Sequence, residues 1–442
     1  MWIWSALMPH PPVLINDIGR GRENEAAKTL DGIRQMTSSL KKPDLLLVLS
    51  PHQPYAYGAV FVNTASSFHS SFARFGAPNV RIDTVSSSAD VKTLCGHLSK
   101  FNIEIYTESF EDLTKDQGSM VPLYFLKEAW RELPDVIIVS PIGLSQEKAF
   151  DMGKALAKFQ SDKTFALLAS GDLSHRLTPD APAGYEPESS FLFEAAVEKA
   201  LKENSPDSIN ELDEEIIVRA GECGLRSVMA MLGLISGYDI KVFSHEWPFG
   251  VGYCTALCEI MKQQPAPVKL ARETVKRLLE NHPLPEDGNE IVSSALWAER
   301  KACFVSIKTK DGNLRGCIGT LLPIQESLDK EIISNSVSAS THDPRFPPMT
   351  KSELNNAVFS VDVLSEPEKI ESITQLNPQI YGVIVSKGYR HGVLLPDLEG
   401  VDTAEQQVQI AAIKAGLYDI DGIKLERFTV TRYKENESVL VD

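Results

Sequence analysis

The sequence predicts an α/β domain, with helices on both faces of a sheet, followed by an α+β domain. With 442 residues the chain is too long for one compact core. In the first half, compact apolar runs alternate with helical patterns, whereas the second half shows strand-like alternation with turns between the strands. The stretch "QQPAPV" that separates them is polar and rich in proline, as linkers are. We therefore expect domains at 1–264 and 265–442.

Three apolar runs of the first half predict buried strands: "DLLLVLS" (44–50), "DVIIVS" (135–140) and "TFALLAS" (164–170). Apolar residues at helical spacing precede the first run, between positions 26 and 36. The segment "LTKDQGSMVPLYFLKEAW" predicts a helix between the first two runs. Strands and helices that alternate in this way are typical of an α/β sheet covered on both faces.

The second half has a different pattern. The segments "CFVSIKT", "NAVFSVDVLS" and "YGVIVSKGYRHGVLLP" alternate as strands do, and helical segments lie around 326–338 and 404–416. A further helix follows the linker, with apolar residues on one face from Val268 to Leu279. This half carries no nucleotide-binding fingerprint, so the prediction is an α+β domain.

Composition excludes several classes of partner. The contents of 43% apolar and 24% charged residues are ordinary for a globular protein, and a net charge of -16 argues against nucleic acid. The apolar runs fall far short of the roughly 20 residues that cross a bilayer, so we expect no membrane span. The start "MWIWSALMPHPP" lacks the features of a signal peptide, and the six cysteines show no paired CxxC spacing. We expect a cytoplasmic protein with free thiols.

Polar side chains follow four strands of the first half where each strand ends. "WIWSALM" leads to His10, "LLLVLS" leads to His52, and "IKVFS" leads to His245 and Glu246. The run "ALLAS" leads to "GDLSH" (171–175). Because open α/β sheets bind ligands beyond the carboxyl ends of their strands, we expect these side chains to meet in one crevice.

These residue types predict a metal site. Two imidazoles and one carboxylate form the facial arrangement of non-haem Fe(II) oxygenases, and His10, His52 and Glu246 would supply it. His175 would then be free to act as an acid or base, with Asp172 orienting it or binding substrate. Zinc would accept the same ligands and activate a water, and the spacing does not distinguish the two metals.

The neighbour of Glu246, His245, is a competing ligand. Adjacent residues of a strand point to opposite faces, so normally only one of the two can face the metal.

The motifs "MPHPPVLI", "LLVLSPHQPY", "ASGDLSHRLTPDAPAGYEP" and "SHEWPFGVGY" resemble the class III extradiol dioxygenase superfamily, in its Memo-like branch. The resemblance implies an α/β fold and, in ring-cleaving members, Fe(II) held by residues that match His10, His52 and Glu246. His175 matches the active-site histidine. The implied substrates are O₂ and a small catecholic or phenolic molecule, in which a C–C bond beside the diol is broken. Gln117 stands where the family often has a histidine, which implies a different polar contact to the substrate.

The segment "GNLRGCIGTLLP" (312–323) is the most unusual stretch of the second half. Its glycines predict a tight turn, with a buried thiol at Cys317 and Arg315 in an ion pair. The alternative is a second site, in which Arg315 binds a carboxylate or phosphate and Cys317 is a nucleophile beside His342 or His391.

The hexapeptide "LRGCIG", with "DPRFPPMT" and "GVLLP", resembles the AMMECR-like domain family. That resemblance implies an α+β fold with a small subdomain against a larger one, but no settled chemistry. Both families are also encountered beside a radical SAM protein, in the AmmeMemoRadiSam system, which implies a shared substrate or successive steps. The chain has no CxxxCxxC run, so radical SAM chemistry would belong to a separate partner.

Three functions remain open from the sequence. The first is an iron-dependent dioxygenase-like enzyme whose second domain binds a ligand or a partner. The second is a zinc hydrolase that uses the same pocket, and the third is a non-catalytic metal-binding scaffold. The oligomeric state, including a homo-oligomer, is also open.

Overall fold

The computed structural model describes residues 1–398, 400–419 and 422–435. The chain divides into two compact units, Met1–Gln263 and Gln264–Asp442. The division falls one residue before the boundary predicted from the linker. Each unit has its own cores and sheets.

The first unit contains ten strands and nine α-helices among the described residues. The strands are β1 (Trp2–Met8), β2 (Leu45–Leu49), β3 (Val60–Asn63), β4 (Ser67–Phe72), β5 (Ala77–Val85), β6 (Ile105–Glu108), β7 (Asp135–Ser140), β8 (Phe165–Ser170), β9 (Lys241–Glu246) and β10 (Tyr253–Cys258). The helices are α1 (Asn16–Gly19), α2 (Ala27–Ser39), α3 (Ser88–Lys100), α4 (Gln117–Trp130), α5 (Gln146–Ala157), α6 (Pro187–Glu203), α7 (Asp207–Asn210), α8 (Glu214–Ala220) and α9 (Leu225–Leu234).

Eight of these strands form one sheet in the order β6-β3-β7-β2-β8-β1-β10-β9, while β4 and β5 pair separately. The strands β7, β2, β8 and β1 are parallel. Strand β10 runs antiparallel to β1 and to β9, so β9 points the same way as β1. The carboxyl ends of β1, β2, β8 and β9 therefore lie along one edge of the sheet, as their sequence positions predicted.

A hydrophobic core lies on each face of this sheet. One core takes side chains from α3, α5, α6 and α9, and the other takes them from α2 and α4. The central strands β1, β2 and β8 are buried along their whole length because helices cover both faces. The prediction of an α/β domain with helices on both faces is confirmed.

The second unit contains seven strands and three α-helices among the described residues. The strands are β11 (Cys303–Thr309), β12 (Leu314–Gly319), β13 (Ala357–Leu364), β14 (Glu368–Ile370), β15 (Tyr381–Lys387), β16 (Arg390–Leu394) and β17 (Lys424–Lys434). The helices are α10 (Ala266–Leu279), α11 (Leu328–Thr341) and α12 (Ala404–Lys414). All their pairings are antiparallel, in the order β12-β11-β13-β17-β15-β16 with β14 beside β17, so the α+β prediction is confirmed.

A tight turn was predicted within residues 312–323, and it lies at the start of that segment, where Gly312 has a φ of 86° and donates its N–H to the carbonyl oxygen of Thr309. The hexapeptide that follows is not part of the turn. Leu314–Gly319 is strand β12, which lies at the end of the sheet. Its glycines serve close packing instead, because a Cβ at Gly316 would overlap the carbonyl oxygen of Ala339 on α11.

Among the described residues, no helix is both long enough and apolar enough to cross a membrane.

We expect Gly153→Ala to lower the free energy of unfolding by about 1 to 3 kcal/mol, because a Cβ there would overlap the carbonyl oxygen of Ala230 where α5 packs on α9. Urea denaturation followed by tryptophan fluorescence measures the change. The matched control is Gly96→Ala on α3, where a Cβ meets no atom within 4 Å. This control should raise stability by up to about 1 kcal/mol. Equal effects of the two variants would contradict the tight helix contact.

Candidate active site

Two histidines meet at the common edge of the sheet. His10 follows the end of β1 and is 1% exposed, whereas His52 follows β2 and lies at the surface. Their Nε2 atoms are 3.0 Å apart, and the ring planes cross at 81°. The structure therefore brings together the two histidines that the sequence placed at strand ends.

The end of β8 and the loop that follows it hold His10 at two points. The backbone N–H of His10 donates to Asp172 Oδ1 at 2.9 Å, and His10 Nδ1 lies 3.0 Å from Ser170 Oγ. When Nδ1 carries the proton and donates to Ser170, the lone pair of Nε2 faces His52. A hydrogen bond at one ring nitrogen fixes the tautomer and orientation of histidines that bind metals.

The separation of the two Nε2 atoms suits a metal ion. Two ring nitrogens bound at about 2.1 Å and at a right angle on one metal lie about 3.0 Å apart. Burial, then the neighbouring His52, holds the pKa of His10 well below its usual range. Burial of its ring also lowers the pKa of His52, against the opposing charges of Asp116 and Asp172. Both rings are therefore neutral near pH 7, which is the form that binds metals.

Cys223 approaches the same pair from the loop before α9. Its Sγ lies 3.7 Å from His10 Nε2 and 3.5 Å from the carbonyl oxygen of Asp172. The approach depends on two glycines, because a Cβ at Gly171 would overlap Cα of Gly224. Burial, then the charge of Asp172, raises the pKa of Cys223 well above its usual range. The side chain is thus a neutral thiol unless a cation binds it.

Asp116 fixes the loop that carries His52. Its carboxylate accepts hydrogen bonds from Ser50 Oγ (2.5 Å), from Gln53 Nε2 and from the N–H and hydroxyl of Ser119. It is also the N-cap of α4, so this network joins the helix to the end of β2. With its acceptor positions filled by neutral donors, Asp116 positions His52 rather than binding a ligand.

Gln117 is the first residue of α4 and is half-buried. The next residue, Gly118, leaves no room for a Cβ beside Ser50 Oγ and His52 Cδ2. Gln117 therefore begins the helix directly against the segment that carries His52.

His175 lies near both histidines but has an unused ring nitrogen. Its backbone N–H donates to the carbonyl oxygen of Ala220. Its Nδ1 is buried and has no hydrogen-bond partner among the described residues. His175 contributes to the electrostatic field at His10, His52 and Asp172. A buried polar atom without a partner is uncommon and is available to a ligand.

Asp172 is 5% exposed, and burial raises its pKa while His175 and the hydrogen bond from His10 oppose the shift. Its bond to the backbone of His10 makes it a positioning residue for that histidine.

Glu246 is engaged elsewhere. Its Oε1 accepts hydrogen bonds from the N–H (2.7 Å) and the hydroxyl (2.8 Å) of Thr29, in the first turn of α2. A carboxylate is favourable there because it meets unpaired N–H groups and the positive end of the helix dipole. Glu246 lies on β9 and His10 follows β1. Because β10 lies between these two strands, the two residues do not come from neighbouring strands. No contact in the described structure joins Glu246 to His10 or His52, so its role as a ligand stays a prediction.

Within the described ranges, no group of three or more His, Cys, Asp or Glu side chains is already gathered closely enough to hold a metal ion. The pair of histidines is preformed, and the third protein ligand is the open question.

The competing residue His245 pairs with carboxylates instead. Its Nε2 lies 2.5 Å from Glu194 Oε2, and its Nδ1 lies 3.5 Å from Glu198. The other oxygen of Glu194 accepts the backbone N–H of Ser174 at 2.7 Å. Burial alone would lower the pKa of His245, but the hydrogen bond and charge of Glu194, with Glu198, raise it. This pair ties β9 and α6 to the segment that carries His175.

In the second unit, Arg315 and Cys317 have structural partners. Arg315 donates to both carboxylate oxygens of Glu353, so the predicted ion pair is present. The thiol of Cys317 is half-buried rather than buried, and its Sγ lies 3.1 Å from Ser306 Oγ. The backbone N–H of Cys317 donates to Asp343, which also accepts a hydrogen bond from the guanidinium of Arg345 in the same loop.

The two histidines considered as partners of Cys317 are not beside it in any described contact. His342 is exposed, and its Nδ1 lies 2.8 Å from Thr341 Oγ1. His391 is on β16, at the opposite end of the strand order from β12. The proposed second site of Arg315, Cys317 and His342 therefore has no support from these contacts.

Sequence reasoning missed several residues of the first site. From the sequence, "GECGLRS" (221–227) predicts a helix start in which Cys223 is structural, and no local pattern singles out Ser170 or Asp116 as a site residue. A signal existed for Asp116, since "DQGS" has the spacing of an N-cap before a helix. For Ser170 and Cys223, no local pattern indicates which histidine they contact.

We expect His245→Gln to destabilise the protein more at pH 6 than at pH 9. The folded-state pKa of His245 is raised, so its stabilising contribution is complete below its unfolded value of 6.5 and is lost as the pH rises through the folded value. Urea midpoints at the two pH values, followed by tryptophan fluorescence, measure the difference. The exposed His69, replaced by Gln, is the control and should show little change at either pH. A larger loss at pH 9 would show that neutral His245 stabilises the fold.

Two family models match the chain. The model described as the catalytic LigB subunit of aromatic ring-opening dioxygenase matches residues 5–255. The AMMECR1 model matches residues 268–437. The first match covers the sheet and the whole edge described above, and the second covers most of the antiparallel unit.

One relative matches nearly the whole chain, and others match a part of it. A protein of Clostridium acetobutylicum is 33% identical over 97% of this chain and 98% of its own length. A Thermotoga maritima protein is 50% identical over 33% of this chain and 84% of its own length. The crystal structure of an uncharacterized Pyrococcus horikoshii protein aligns with 39% of this chain and 93% of its own at 28% identity, with a TM-score of 0.35. The chain belongs to the LigB family of aromatic ring-opening dioxygenase catalytic subunits, here fused to an AMMECR1 domain.

Proposed function

We propose that the first unit is a non-haem Fe(II)-dependent dioxygenase that cleaves the ring of a small catecholic substrate beside its diol. The observation that carries the proposal is the pair of Nε2 atoms, 3.0 Å apart, of His10 and His52. It lies at the sheet edge where ligands of open α/β folds bind. The unpartnered Nδ1 of His175 beside this pair supports an acid or base at the same place.

The residues present fit the metal. His10 and His52 would hold it through neutral imidazoles. Cys223 Sγ and Asp172 Oδ2, which lie 3.7 Å and 3.8 Å from His10 Nε2, are the described candidates for a third ligand. A ferrous ion bound there would supply a common binding place for the two phenolic oxygens and for dioxygen. Glu246 is bound to Thr29 through Oε1, so a role as the third ligand would fall to its Oε2.

The protein's own groups then have separate roles. Ser170 and Asp172 keep the ring of His10 oriented, and Asp116 does the same for the loop of His52. His175 accepts a proton from a phenolic hydroxyl through its free ring nitrogen and returns it to the product. Gln117, at the start of α4, donates an amide hydrogen bond to a substrate oxygen but cannot carry a proton.

A second candidate function is metal-dependent hydrolysis with zinc. The observation that favours it is Cys223, because thiolate and imidazole ligands with one open position are typical of zinc sites. In that case His175 would act as the base for a bound water.

We expect near-stoichiometric iron in protein purified without oxygen, and loss of that iron in the His10→Ala/His52→Ala variant, because both ring nitrogens are removed. His175→Ala should keep its iron and lose O₂ uptake with catechols, since this residue moves a proton and does not hold the metal. Elemental analysis and an oxygen electrode measure the two properties, and exposed His69→Ala is the matched control.

Three results would contradict this proposal. Zinc in place of iron would favour hydrolysis, and metal loss in His175→Ala would make that residue a ligand. If the wild-type protein bound no metal, the result would favour a non-catalytic scaffold over both enzymatic functions.

The third ligand can be tested separately. We expect Cys223→Ala to weaken iron binding by at least about 100-fold, because loss of an outer partner alone costs about 10- to 100-fold. Glu246→Gln should bind iron normally, since its amide oxygen can still accept the hydrogen bonds from Thr29. Iron titrations monitored with a competing chelator measure both affinities. If Glu246→Gln weakened iron binding and Cys223→Ala did not, Glu246 would be the third ligand and Cys223 would have a structural role.

A further inference from the structure

Glu194 is a buried carboxylate that contacts the segment after β8, residues 171–175, from the side of α6. Its neighbours Phe193 and Val197 belong to the core on one face of the sheet, so this part of the helix is firmly packed. A carboxylate is seldom fully buried unless it is paired, because removing its charge from water is costly. The partners of Glu194 therefore indicate what this side chain does.

Three consecutive N–H groups of the segment are bound by three different parts of the unit. Ser174 N–H donates to Glu194 Oε1 at 2.7 Å. The next N–H, of His175, donates to the carbonyl oxygen of Ala220 at 3.1 Å. The preceding one, of Leu173, donates to a backbone carbonyl in the loop before β10. Of these three bonds, the one to Glu194 uses a side chain, so a substitution can remove it.

The backbone of Gly252 holds Ser174 from the opposite direction. Gly252 N–H donates to the carbonyl oxygen of Ser174 at 2.7 Å. Gly252 also packs against the carboxylate, since a Cβ there would overlap Glu194 Oε1. Ser174 is therefore fixed through its N–H and its C=O by two groups that touch each other, and a glycine permits this close approach.

The second oxygen of Glu194 is also engaged. Oε2 lies 2.5 Å from Nε2 of His245 on β9, which leaves Oε1 directed at Ser174. Apolar side chains often fill such a space without loss of stability, because they avoid the cost of burying charge. What the carboxylate adds is a strong acceptor for the N–H of Ser174, since hydrogen bonds to charged groups are about twice as strong as neutral ones.

The segment held in this way carries groups of the candidate site. Asp172, two residues before Ser174, accepts the backbone N–H of His10. His175, the residue after Ser174, has the buried Nδ1 without a described partner. A displacement of Ser174 would therefore move the imidazole that the proposed function uses for proton transfer. Such displacements are costly, because a shift of about 1 Å can lower a rate about 100-fold.

We propose that Glu194 is a positioning residue for His175 and acts through the N–H of Ser174. This inference rests on the proposed function, which it deepens by adding a residue outside the groups that meet metal and substrate. The rate of turnover depends on the acceptor oxygen of Glu194 rather than on its charge. Metal binding and substrate binding depend on neither, because His10 keeps its own contacts with Ser170 and Asp172.

The test compares Glu194→Met, which has a similar length but no acceptor, with Glu194→Gln, which keeps an acceptor oxygen for Ser174. Each protein is loaded with iron without oxygen, and its iron content and affinity for 4-nitrocatechol are measured. O₂ uptake with catechol then gives kcat and KM. Glu194→Met should keep its iron, probe affinity and KM but lose about 10- to 100-fold in kcat. Glu194→Gln should stay within about threefold of the wild-type kcat, since the loss of a charge only weakens the bond to Ser174.

The matched control is Glu198→Gln. Glu198 lies one turn further along α6 and is 3.5 Å from His245 Nδ1, but no described contact joins it to Ser174. This variant should have the wild-type kcat. A loss of kcat here, or an equal loss in Glu194→Gln and Glu194→Met, would show that the charges around His245 set the rate and would overturn the inference.

Folding is measured in parallel from the urea midpoint. A purely structural role of Glu194 would lower the midpoint of Glu194→Met and leave its kcat per bound iron unchanged, which would also overturn the inference. If Glu194→Met does not fold, Glu194→Asp takes its place, because its carboxylate keeps the charge but is one methylene shorter. The same loss of kcat at unchanged probe affinity is expected, and a wild-type kcat would contradict the positioning role.

Failure of this inference is distinguishable from failure of the proposed function. If the wild-type protein binds iron and takes up O₂, and the variants without a properly placed acceptor do so at the same rate, the role of Glu194 is wrong and the proposed function stands. If the wild-type protein binds no iron or takes up no O₂ with catechols, the proposed function fails and this inference fails with it.

Discussion

The candidate active site depends on the way one short segment, residues 170–175, holds His10. This segment supplies Ser170 to the ring and Asp172 to the backbone of the same histidine. The contacts come from the last residue of β8 and from the loop after it, and β8 pairs in parallel with β1. Since the two strands end together, the segment and His10 meet without a long loop. A buried strand therefore ends in polar groups because those groups orient the histidine that follows the neighbouring strand.

Close backbone packing brings the other parts of the site to this segment. Gly171 and Gly224 touch where side chains would collide, and this contact carries Cys223 to His10. Gly118 allows the start of α4 to reach the loop of His52. Each of these glycines is needed because it has no side chain, which lets two backbone segments approach each other closely near the Nε2 atoms of the two histidines.

Hydrogen bonding distinguishes the polar side chains that hold the structure together from those that remain available to a ligand. Asp116, Glu194 and Glu246 are engaged by donors of the protein, so they position loops and helices. His175 Nδ1 is left without such a partner among the described residues. In the AMMECR1 unit the guanidinium of Arg315 is likewise engaged, by Glu353. The unusual motif of that unit is accordingly explained by strand pairing and an ion pair.

The sequence by itself determined the two fold classes and the placement of His10, His52 and His175 at one sheet edge. Strand-length apolar runs that alternate with helical spacing require helices on both faces of a parallel sheet, and parallel strands share one edge for their carboxyl ends.

Only the tertiary structure decided which side chains meet there. It placed β10 between β1 and β9, and it bound Glu246 to Thr29. It also joined Cys223 to His10 across 213 positions of sequence. The physical reason is that strand order and loop approach are set by packing between distant segments, which no local pattern of residues encodes.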